Sequence, residues 1–266
     1  MKLTLLGTGN ALVTECYNTC FIISDGNKNL LVDGGGGNGI LHQLKRAGYE
    51  LQDIHEIFIT HQHIDHLLGV IWLVRIMAQL MNKGNFSGDV NIYSHDEVIN
   101  LLEDIIVKLL LPYQAAFMGK RIHLITIKDN ETRNIINHDV TFFDIHSART
   151  KQYGFTMELY DGKKLTCCGD EPCHKACEDY VRNSEWLLHE AFCLYSQVDI
   201  FKPYEKHHST VKDAAELAER LGAKNLLLYH TEDSNLKNRK QLYTNEAKQY
   251  FSRKIFVPND LEAVTL

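Results

Sequence analysis

Four side chains of the kinds that bind metal ions occur within six residues of one another in the first third of the chain. They are His61, His63, Asp65 and His66, and they directly follow the run Ile-Phe-Ile-Thr at 57–60. The β-branched and aromatic residues of that run predict a strand, so the four side chains should lie where the strand ends. In an extended segment His61 and His63 face the same side, whereas Asp65 and His66 diverge unless the chain turns. Two diverging pairs favour a site for two metal ions.

Other histidines and aspartates also stand at the ends of predicted strands. They are Asp33, His146, Asp170, His189 and His230. Side chains gathered at one edge of a sheet are held by a rigid scaffold, so we expect these residues to converge on one site. Imidazole and carboxylate ligands without thiolate are typical of catalytic zinc, and manganese is the alternative metal.

Two of these residues are predicted to support the ligands instead of binding metal. Asp33 precedes four consecutive glycines, and we expect its carboxylate to orient a metal ligand through a hydrogen bond. A turn-forming aspartate before glycine is the alternative interpretation. His189 is assigned to the same supporting layer.

The elements predicted around these residues alternate strands with helices and show no repeat or linker. Hairpins are predicted about Asp25-Gly26 and Asp161-Gly162, and helices at 40–47, at 67–81, at 97–111 with Asp96 as its cap, and from Ser209 or Thr210 to Leu221. This pattern predicts an α/β fold in a single domain spanning residues 1–266.

Composition limits the classes of function. With 266 residues and 44% apolar content the chain can bury a core, and its net charge of -6 weakens any case for tight binding to a nucleic-acid backbone. The most apolar longer run, at 69–81, carries Arg75 and Gln79 and is shorter than the about 20 residues that a membrane span needs. No signal peptide is visible, and the odd number of cysteines, seven, favours a reducing compartment. We therefore expect a cytoplasmic protein that does not contact membranes.

A cysteine cluster offers a competing metal site. Cys167, Cys168, Cys173 and Cys177 fall within eleven residues, together with His174. The spacing is not that of a standard zinc ribbon, so ordinary thiols are the favoured interpretation over a structural zinc.

Three stretches resemble a known family. The run at 61–66 matches the His-x-His-x-Asp-His signature of the metallo-β-lactamase superfamily, while LHEAFC at 188–193 and HSTVKDAAELAERLGAKNLLLYH at 208–230 resemble segments of its ribonuclease Z branch. The resemblance implies a four-layer αββα sandwich, a homodimer and two zinc ions. One ion would be held by His61, His63 and His146, the other by Asp65, His66 and His230, with Asp170 bridging the two.

The same resemblance implies roles in phosphodiester hydrolysis by a metal-bridging hydroxide. Glu190 and His208 would act together on the leaving oxygen, because an expelled alkoxide needs a proton and a histidine held by a carboxylate can provide one. Asp65, besides binding metal, would orient or deprotonate the attacking water. Arg149, Lys151 and Tyr153 are expected to contact phosphate or base, with solvent-facing loop residues as the alternative.

Two departures from ribonuclease Z concern the substrate. Only 23 residues separate His146 from Asp170, which leaves room for a hairpin but not for the arm that grips tRNA. Glu232 and Asp233 follow the last histidine, where they would repel a polyanion. These features favour a small diester such as a cyclic nucleotide, as in armless enzymes of the anti-Pycsar type. A tRNA 3′-end processing endoribonuclease, a nucleotide-binding sensor without catalysis, and a thioester or lactone hydrolase are the alternatives.

Overall fold

Fourteen strands form two sheets of seven strands each in the computed structural model, which describes residues 1–266. The strands of the first sheet are β1 (Lys2–Gly7), β2 (Cys20–Asp25), β3 (Lys28–Val32), β4 (Glu56–Phe58), β5 (Val90–Ser94), β6 (Ile122–Thr126) and β14 (Ala263–Thr265). Their spatial order is β14-β1-β2-β3-β4-β5-β6. The strands of the second sheet are β7 (Thr132–Ile135), β8 (His138–Asp144), β9 (Tyr153–Glu158), β10 (Lys164–Cys167), β11 (Trp186–Glu190), β12 (Asn225–Tyr229) and β13 (Lys254–Phe256). Here the order is β13-β12-β11-β10-β9-β8-β7.

Eight α-helices lie between or outside these strands. They are α1 (Gly39–Ala47), α2 (Ile64–Asn82), α3 (Asp96–Leu109), α4 (Pro112–Ala115), α5 (Glu178–Val181), α6 (Val198–Phe201), α7 (Val211–Arg220) and α8 (Arg239–Ala247). The helix predicted at 97–111 ends earlier, because Pro112 begins α4, where its fixed φ suits a first helical turn. Its predicted cap was also wrong: His95 is the N-cap residue and Asp96 lies in the first turn.

Three apolar cores separate the layers and confirm the predicted αββα sandwich. Side chains alternate along each strand. Leu3 and Leu5 of β1 therefore lie in the core between the two sheets, while Leu6 lies in the core between the first sheet and its helices. The central core also contains Phe58 and Phe142, whose ring centroids lie 4.9 Å apart across the two sheets. Helices α1, α2 and α3 cover the outer face of the first sheet, and α7 and α8 that of the second.

Helix α2 is the longest helix and packs as a core element. Its length and composition would allow it to cross a membrane, but 56% of its apolar stretch is buried inside the protein. Val70, Leu73 and Val74 are completely buried against the first sheet. This burial makes it weak evidence for a membrane span.

Candidate metal centre and active site

The His-Asp cluster lies at the turn from β4 into α2. His63 is the N-cap residue of α2 and has an extended backbone, with φ −63° and ψ 148°. Asp65 and His66 therefore lie in the first helical turn, whereas His61 lies in the preceding extended segment. The chain turns between the two pairs of candidate ligands, as their spacing predicts.

Two glycines allow α2 to approach the loop after β3 at backbone distance. Gly34 N donates to His66 O at 2.8 Å, and Gly69 N donates to Gly35 O at 2.9 Å. A Cβ atom on Gly69 would lie 1.8 Å from the carbonyl oxygen of Gly34, so no larger residue fits without displacement. The contact fixes the start of α2 beside the loop that carries Asp33.

Asp33 holds two parts of the cluster through one carboxylate. Its Oδ1 accepts from Thr60 N at 2.8 Å, and its Oδ2 accepts from Thr60 Oγ1 at 2.8 Å and from His66 Nδ1 at 2.7 Å. Because a carboxylate accepts the Nδ1 hydrogen, His66 directs Nε2 toward the neighbouring ligands. Burial lowers the pKa of His66, but Asp65 and Asp33 outweigh that effect and raise it well above its ordinary value.

Four ligand atoms from three strand ends converge beside Asp33. His66 Nε2 lies 3.3 Å from Asp65 Oδ2 and 3.5 Å from Asp170 Oδ2. His230 Nε2 lies 3.6 and 3.5 Å from the same two oxygens. Ligand atoms at about 2.0–2.2 Å from a tetrahedral zinc ion are about 3.3–3.6 Å apart, and these four distances lie in that range. Asp65, His66 and His230 together form one possible metal-binding group. Both Nε2 atoms are buried without a hydrogen-bond partner, which fits a metal ligand.

His61 and His63 lie next to this group, but their facing nitrogens contact each other instead of being left without a hydrogen-bond partner. His61 Nε2 lies 3.5 Å from Asp170 Oδ2 and only 2.7 Å from His63 Nδ1, a hydrogen-bond distance. The other nitrogen of His61 contacts Thr60 Oγ1 at 2.9 Å and Gln152 Nε2 at 2.8 Å. Gln152 is 1% exposed and was not predicted as a site residue.

The structure does not bring His146 into the cluster. Strand β8 ends at Asp144, two residues before His146, which adopts a positive φ of 56°. Its backbone N donates to Asp144 Oδ1 at 2.8 Å, and its exposed ring lies 5.1 Å from that of His174. The strand predicted at 140–146 therefore ends two residues earlier, and in this conformation the His146 side chain is not grouped with the other ligands.

Glu190 and His208 lie beside the ligands. His208 Nδ1 lies 2.8 Å from Asp170 O and 3.8 Å from Glu190 Oε2. Glu190, His208 and His230 together form one possible metal-binding group. Since a carbonyl oxygen only accepts, Nδ1 carries the hydrogen and Nε2 is left for the cavity. Burial, aided by His230, lowers the pKa of His208 to about 4. Burial also raises the pKa of Glu190 well above its ordinary value.

His189 does not support the ligands as predicted. Neighbouring residues of a strand face opposite sides, and His189 faces α7, away from Glu190. Its Nδ1 lies 2.7 Å from Glu190 O, and its Nε2 is buried without a partner.

A cavity of about 640 Å³ opens over the ligands. Asp65, Asp170, His63, His208 and His230 lie at its floor or wall, and its other lining residues are Asn10, Ala11, Leu12, Gln62, Ile64, Leu101, Arg149, Phe192 and Lys206. Among the predicted substrate contacts, only Arg149 lines it. Lys151 instead pairs with Asp96 at 2.5 Å, and Tyr153 is buried in the central core.

Phe192 and Lys206 are cavity residues that the sequence did not single out. The Phe192 ring stacks on His208 at 4.7 Å and 12°, and the Lys206 ammonium lies 5.0 Å from the Phe192 ring centroid. Arg149 Nη1 donates to Lys206 O at 3.3 Å. Both residues lie at or near the segments that resemble ribonuclease Z: Phe192 follows His-Glu-Ala, and Lys206 lies two positions before His208. This proximity is the sequence feature that could have identified them as site residues.

Glu232 and Asp233 do not face the cavity, contrary to prediction. Glu232 is buried and its Oε2 accepts from Ser234 N at 2.6 Å. Asp233 Oδ2 accepts from the backbone N of Thr14 and of Glu15 at 2.6 and 2.9 Å. Both carboxylates are engaged by backbone donors and neither lines the cavity, so neither faces a substrate bound there.

Asp260 holds the other end of the same N-terminal loop. Its Oδ2 accepts from Tyr17 N at 2.6 Å, and its Oδ1 accepts from Thr8 Oγ1 at 2.7 Å. Asn10 N donates to Thr231 O at 3.0 Å, directly after the ligand His230. Two carboxylates from the last part of the chain thus position the loop that supplies Asn10 to the cavity.

The cysteine cluster forms no metal site in this conformation. All seven cysteines are unpaired, and no three ligand atoms from Cys167, Cys168, Cys173, Cys177 and His174 form a metal-binding group. Ordinary thiols remain the prediction for this cluster.

Comparisons with known proteins agree with the fold. A curated ribonuclease Z from Prochlorococcus marinus subsp. pastoris is 27% identical, with 86% of this chain and 88% of that protein covered. One from Archaeoglobus fulgidus is 25% identical over 96% of this chain and 94% of its own. The metallo-β-lactamase fold protein YhfI of Bacillus subtilis superposes with a TM-score of 0.80 at 18% identity, covering 99% and 98%. The short form of human tRNase Z gives 0.73 at 21%, covering 100% and 99%.

The family itself follows from a match along nearly the whole chain. The family model described as anti-Pycsar protein Apyc1 matches residues 1–254. The solved structures that resemble this chain have the metallo-β-lactamase fold. That fold, together with the His and Asp groups of this chain, implies a divalent-metal site. The chain belongs to the anti-Pycsar protein Apyc1 family.

Proposed function

We propose that the protein is a metal-dependent phosphodiesterase that hydrolyses a small diester such as a cyclic nucleotide. The observation that carries the proposal is the position of Glu190 and His208 beside His230, with His208 lining one cavity together with Asp65, Asp170 and His230. A thiolate expelled from a thioester needs no proton donor of this kind, whereas an alkoxide expelled from a phosphodiester needs one.

Asp65, His66, Asp170 and His230 would hold one ion, and His61, His63 and His146 with the shared Asp170 would hold a second. Zinc is proposed, with manganese as the alternative. When bound, such ions act as Lewis acids toward phosphate oxygens and make water a nucleophile at neutral pH. Asp65 is proposed also to orient that water, and Asp33 to position His66.

His208 is proposed to deliver a proton from Nε2 to the leaving oxygen. Its Nδ1 is held by the Asp170 carbonyl, which fixes the ring, and stacking on Phe192 limits ring rotation. Since Nδ1 already carries the hydrogen that bonds to the Asp170 carbonyl, Nε2 must take up a proton from the cavity before it can donate one. A carboxylate at Glu190, 3.8 Å from Nδ1, would stabilise the imidazolium so formed. Arg149 and Lys206 bring positive charge to the cavity, which suits an anionic substrate.

The size of the cavity supports a small substrate. A volume of about 640 Å³ lies within the range of about 300–1,000 Å³ that small-molecule sites occupy. The segment between His146 and Asp170 forms the β9–β10 hairpin and carries no arm.

A comparison of leaving groups tests this function. His208→Asn should lower kcat on a cyclic nucleotide by about 10²- to 10⁴-fold, because the alkoxide then leaves without its proton. Bis(p-nitrophenyl) phosphate releases a stable phenolate, so its turnover should fall far less. His207→Asn is the matched control, because His207 is exposed, does not line the cavity and has a positive φ that asparagine tolerates.

Equal losses on the two substrates would contradict the role of His208. No turnover of either substrate by folded, metal-loaded protein would contradict the proposed function. A cyclic nucleotide that binds and is recovered intact would favour a sensor without catalysis.

Processing of tRNA 3′ ends is the second candidate function. Curated relatives are ribonuclease Z proteins, and neither Glu232 nor Asp233 lines the cavity. Cleavage of a labelled precursor tRNA at its 3′ end would favour it, whereas cleavage of cyclic nucleotides alone would exclude it.

A cytoplasmic location is also proposed. The absence of disulfides among seven cysteines supports a reducing compartment. Localisation of a fluorescent fusion would test it.

A further inference from the structure

The orientation of the Gln152 amide is fixed by the backbone and side chain of one neighbour. Its Oε1 accepts from Asp170 N at 3.3 Å, and its Nε2 donates to Asp170 Oδ1. The reversed amide would place oxygen against oxygen and N–H against N–H. Gln152 therefore presents an N–H donor to His61 Nδ1, 2.8 Å away.

That donor decides which nitrogen of His61 carries the hydrogen. With Gln152 donating, Nδ1 must accept, so the hydrogen is on Nε2, which donates to His63 Nδ1 at 2.7 Å. In this tautomer neither His61 Nε2 nor His63 Nδ1 offers a free lone pair to a metal ion.

A second tautomer is also built into the site. If His61 Nδ1 carried the hydrogen, it would donate to Thr60 Oγ1 at 2.9 Å, and Thr60 would donate to Asp33 Oδ2 at 2.8 Å. His61 Nε2 would then be free to bind metal, but the Gln152 N–H would oppose the His61 N–H. The two tautomers exclude each other. Gln152 favours the tautomer with the hydrogen on Nε2, in which His61 cannot bind a metal ion.

The loop before Gln152 is held away from the ligands as well. Ser147 Oγ donates to Glu171 Oε1 at 2.7 Å, and the His146 ring lies against His174. His146 and Gln152 belong to one segment between β8 and β9, so withdrawal of Gln152 and approach of His146 involve the same part of the chain. By contrast, His66 is already oriented by Asp33, with its Nε2 free.

We propose that Gln152 makes the two metal sites unequal. The first ion binds at Asp65, His66, Asp170 and His230, and the second binds only after Gln152 leaves His61 and His146 approaches. This inference rests on the proposed metal-dependent function and assigns Gln152 as a positioning residue. It predicts a protein that holds one ion firmly and exchanges the other.

Titration of metal-free protein with zinc, followed by calorimetry and by competition with a chromophoric chelator, tests the inference. The natural chain should bind in two steps, the second at least about tenfold weaker. Gln152→Met keeps the length but removes the donor to His61 together with two hydrogen bonds to Asp170, a ligand that both ions share. Both affinities can therefore change, but the second step should strengthen relative to the first by about tenfold or more. His146→Ala should remove the second step alone. Gln79→Met, on α2 away from the cavity, is the control.

The tautomer of His61 gives a readout that needs no activity, and its first measurement uses the natural chain alone. Long-range ¹H–¹⁵N correlation spectra of the metal-free protein should show the hydrogen of His61 on Nε2, and on Nδ1 in Gln152→Met. A hydrogen on Nδ1 in the natural chain, or a second step in Gln152→Met that is no stronger relative to the first, would overturn the proposal.

Failure of the function and failure of this inference give different results. Two unequal binding steps without turnover of any diester would contradict the function alone. Two equal steps with full turnover would contradict the role of Gln152 alone.

Discussion

The two ring nitrogens of His66 have different partners, and the hydrogen bond to Asp33 determines which nitrogen faces the other candidate ligands. The 2.7 Å hydrogen bond from Nδ1 to Asp33 leaves Nε2 among the oxygens of Asp65 and Asp170. Asp33 also holds Thr60, which contacts His61, so one carboxylate is connected to candidate ligands of both ions. The geometry explains why an aspartate that binds no metal stands at the end of β3.

Asp33→Asn should weaken metal binding by about 10- to 100-fold, because an amide accepts fewer of the three hydrogen bonds and no longer fixes His66. Competition with a chelator measures the affinity of each step. Asp161→Asn, at an exposed turn, should leave both steps unchanged. Unaltered affinity in Asp33→Asn would show that His66 is held without this carboxylate.

At the scale of the element, the start of α2 depends on the contact between Gly34 and Gly69. The two backbone hydrogen bonds between this helix and the loop after β3 leave no room for a side chain. The glycine three residues after His66 is therefore explained by how closely the helix must dock, and not by flexibility.

Gly69→Ala should lower the free energy of unfolding by about 1–3 kcal/mol through overpacking, despite alanine's better helix propensity of about 1 kcal/mol. It should also weaken metal binding, because α2 carries Asp65 and His66. Denaturant unfolding and zinc titration measure the two effects. Arg75→Ala, on the exposed side of the same helix, should change neither; a Gly69→Ala protein of natural stability would mean that the loop yields easily.

The sequence predicted the layers and most of the cluster because strand ends are marked locally. His61, Asp170 and His230 each come just beyond an apolar strand, and hairpin turns and the Thr210 cap were correctly placed. His146 stands apart from the cluster because its ring lies against that of His174, a contact that no local pattern marks. His189 failed because it alternates with Glu190 along β11, although the two are adjacent in sequence.

The remaining differences between the predicted and the observed site come from contacts between residues that are distant in sequence. Gln152 enters the site because its amide matches the backbone and side chain of Asp170, which no local pattern records. Lys151 is removed from the cavity by Asp96, 55 positions away. Asp233 is likewise claimed by the backbone of Thr14 and Glu15.

At the scale of the whole molecule, the two sheets share one central core of 23 buried side chains. We propose that residues 1–266 form one domain, since neither sheet could cover this surface alone. Limited proteolysis should therefore yield no stable fragment that corresponds to one sheet. Recovery of a folded half would contradict the proposal.

We also propose a homodimer. Val107 and Leu109, near the end of α3, are 67% and 71% exposed, and Leu111 follows at 54%, so apolar surface is available there. Light scattering should give twice the mass of the chain, and Val107→Lys with Leu109→Lys should give a folded monomer. Lys120→Glu is the surface control; a dimer that persists in the double variant would place the interface elsewhere.

The two carboxylates that hold the N-terminal loop come from near the far end of the chain. Asp233 follows Thr14 by 219 positions, and Asp260 follows Tyr17 by 243 positions. The wall of the cavity around Asn10 is therefore anchored only when these distant parts of the chain have come together, so this wall is a product of tertiary folding and not of local sequence.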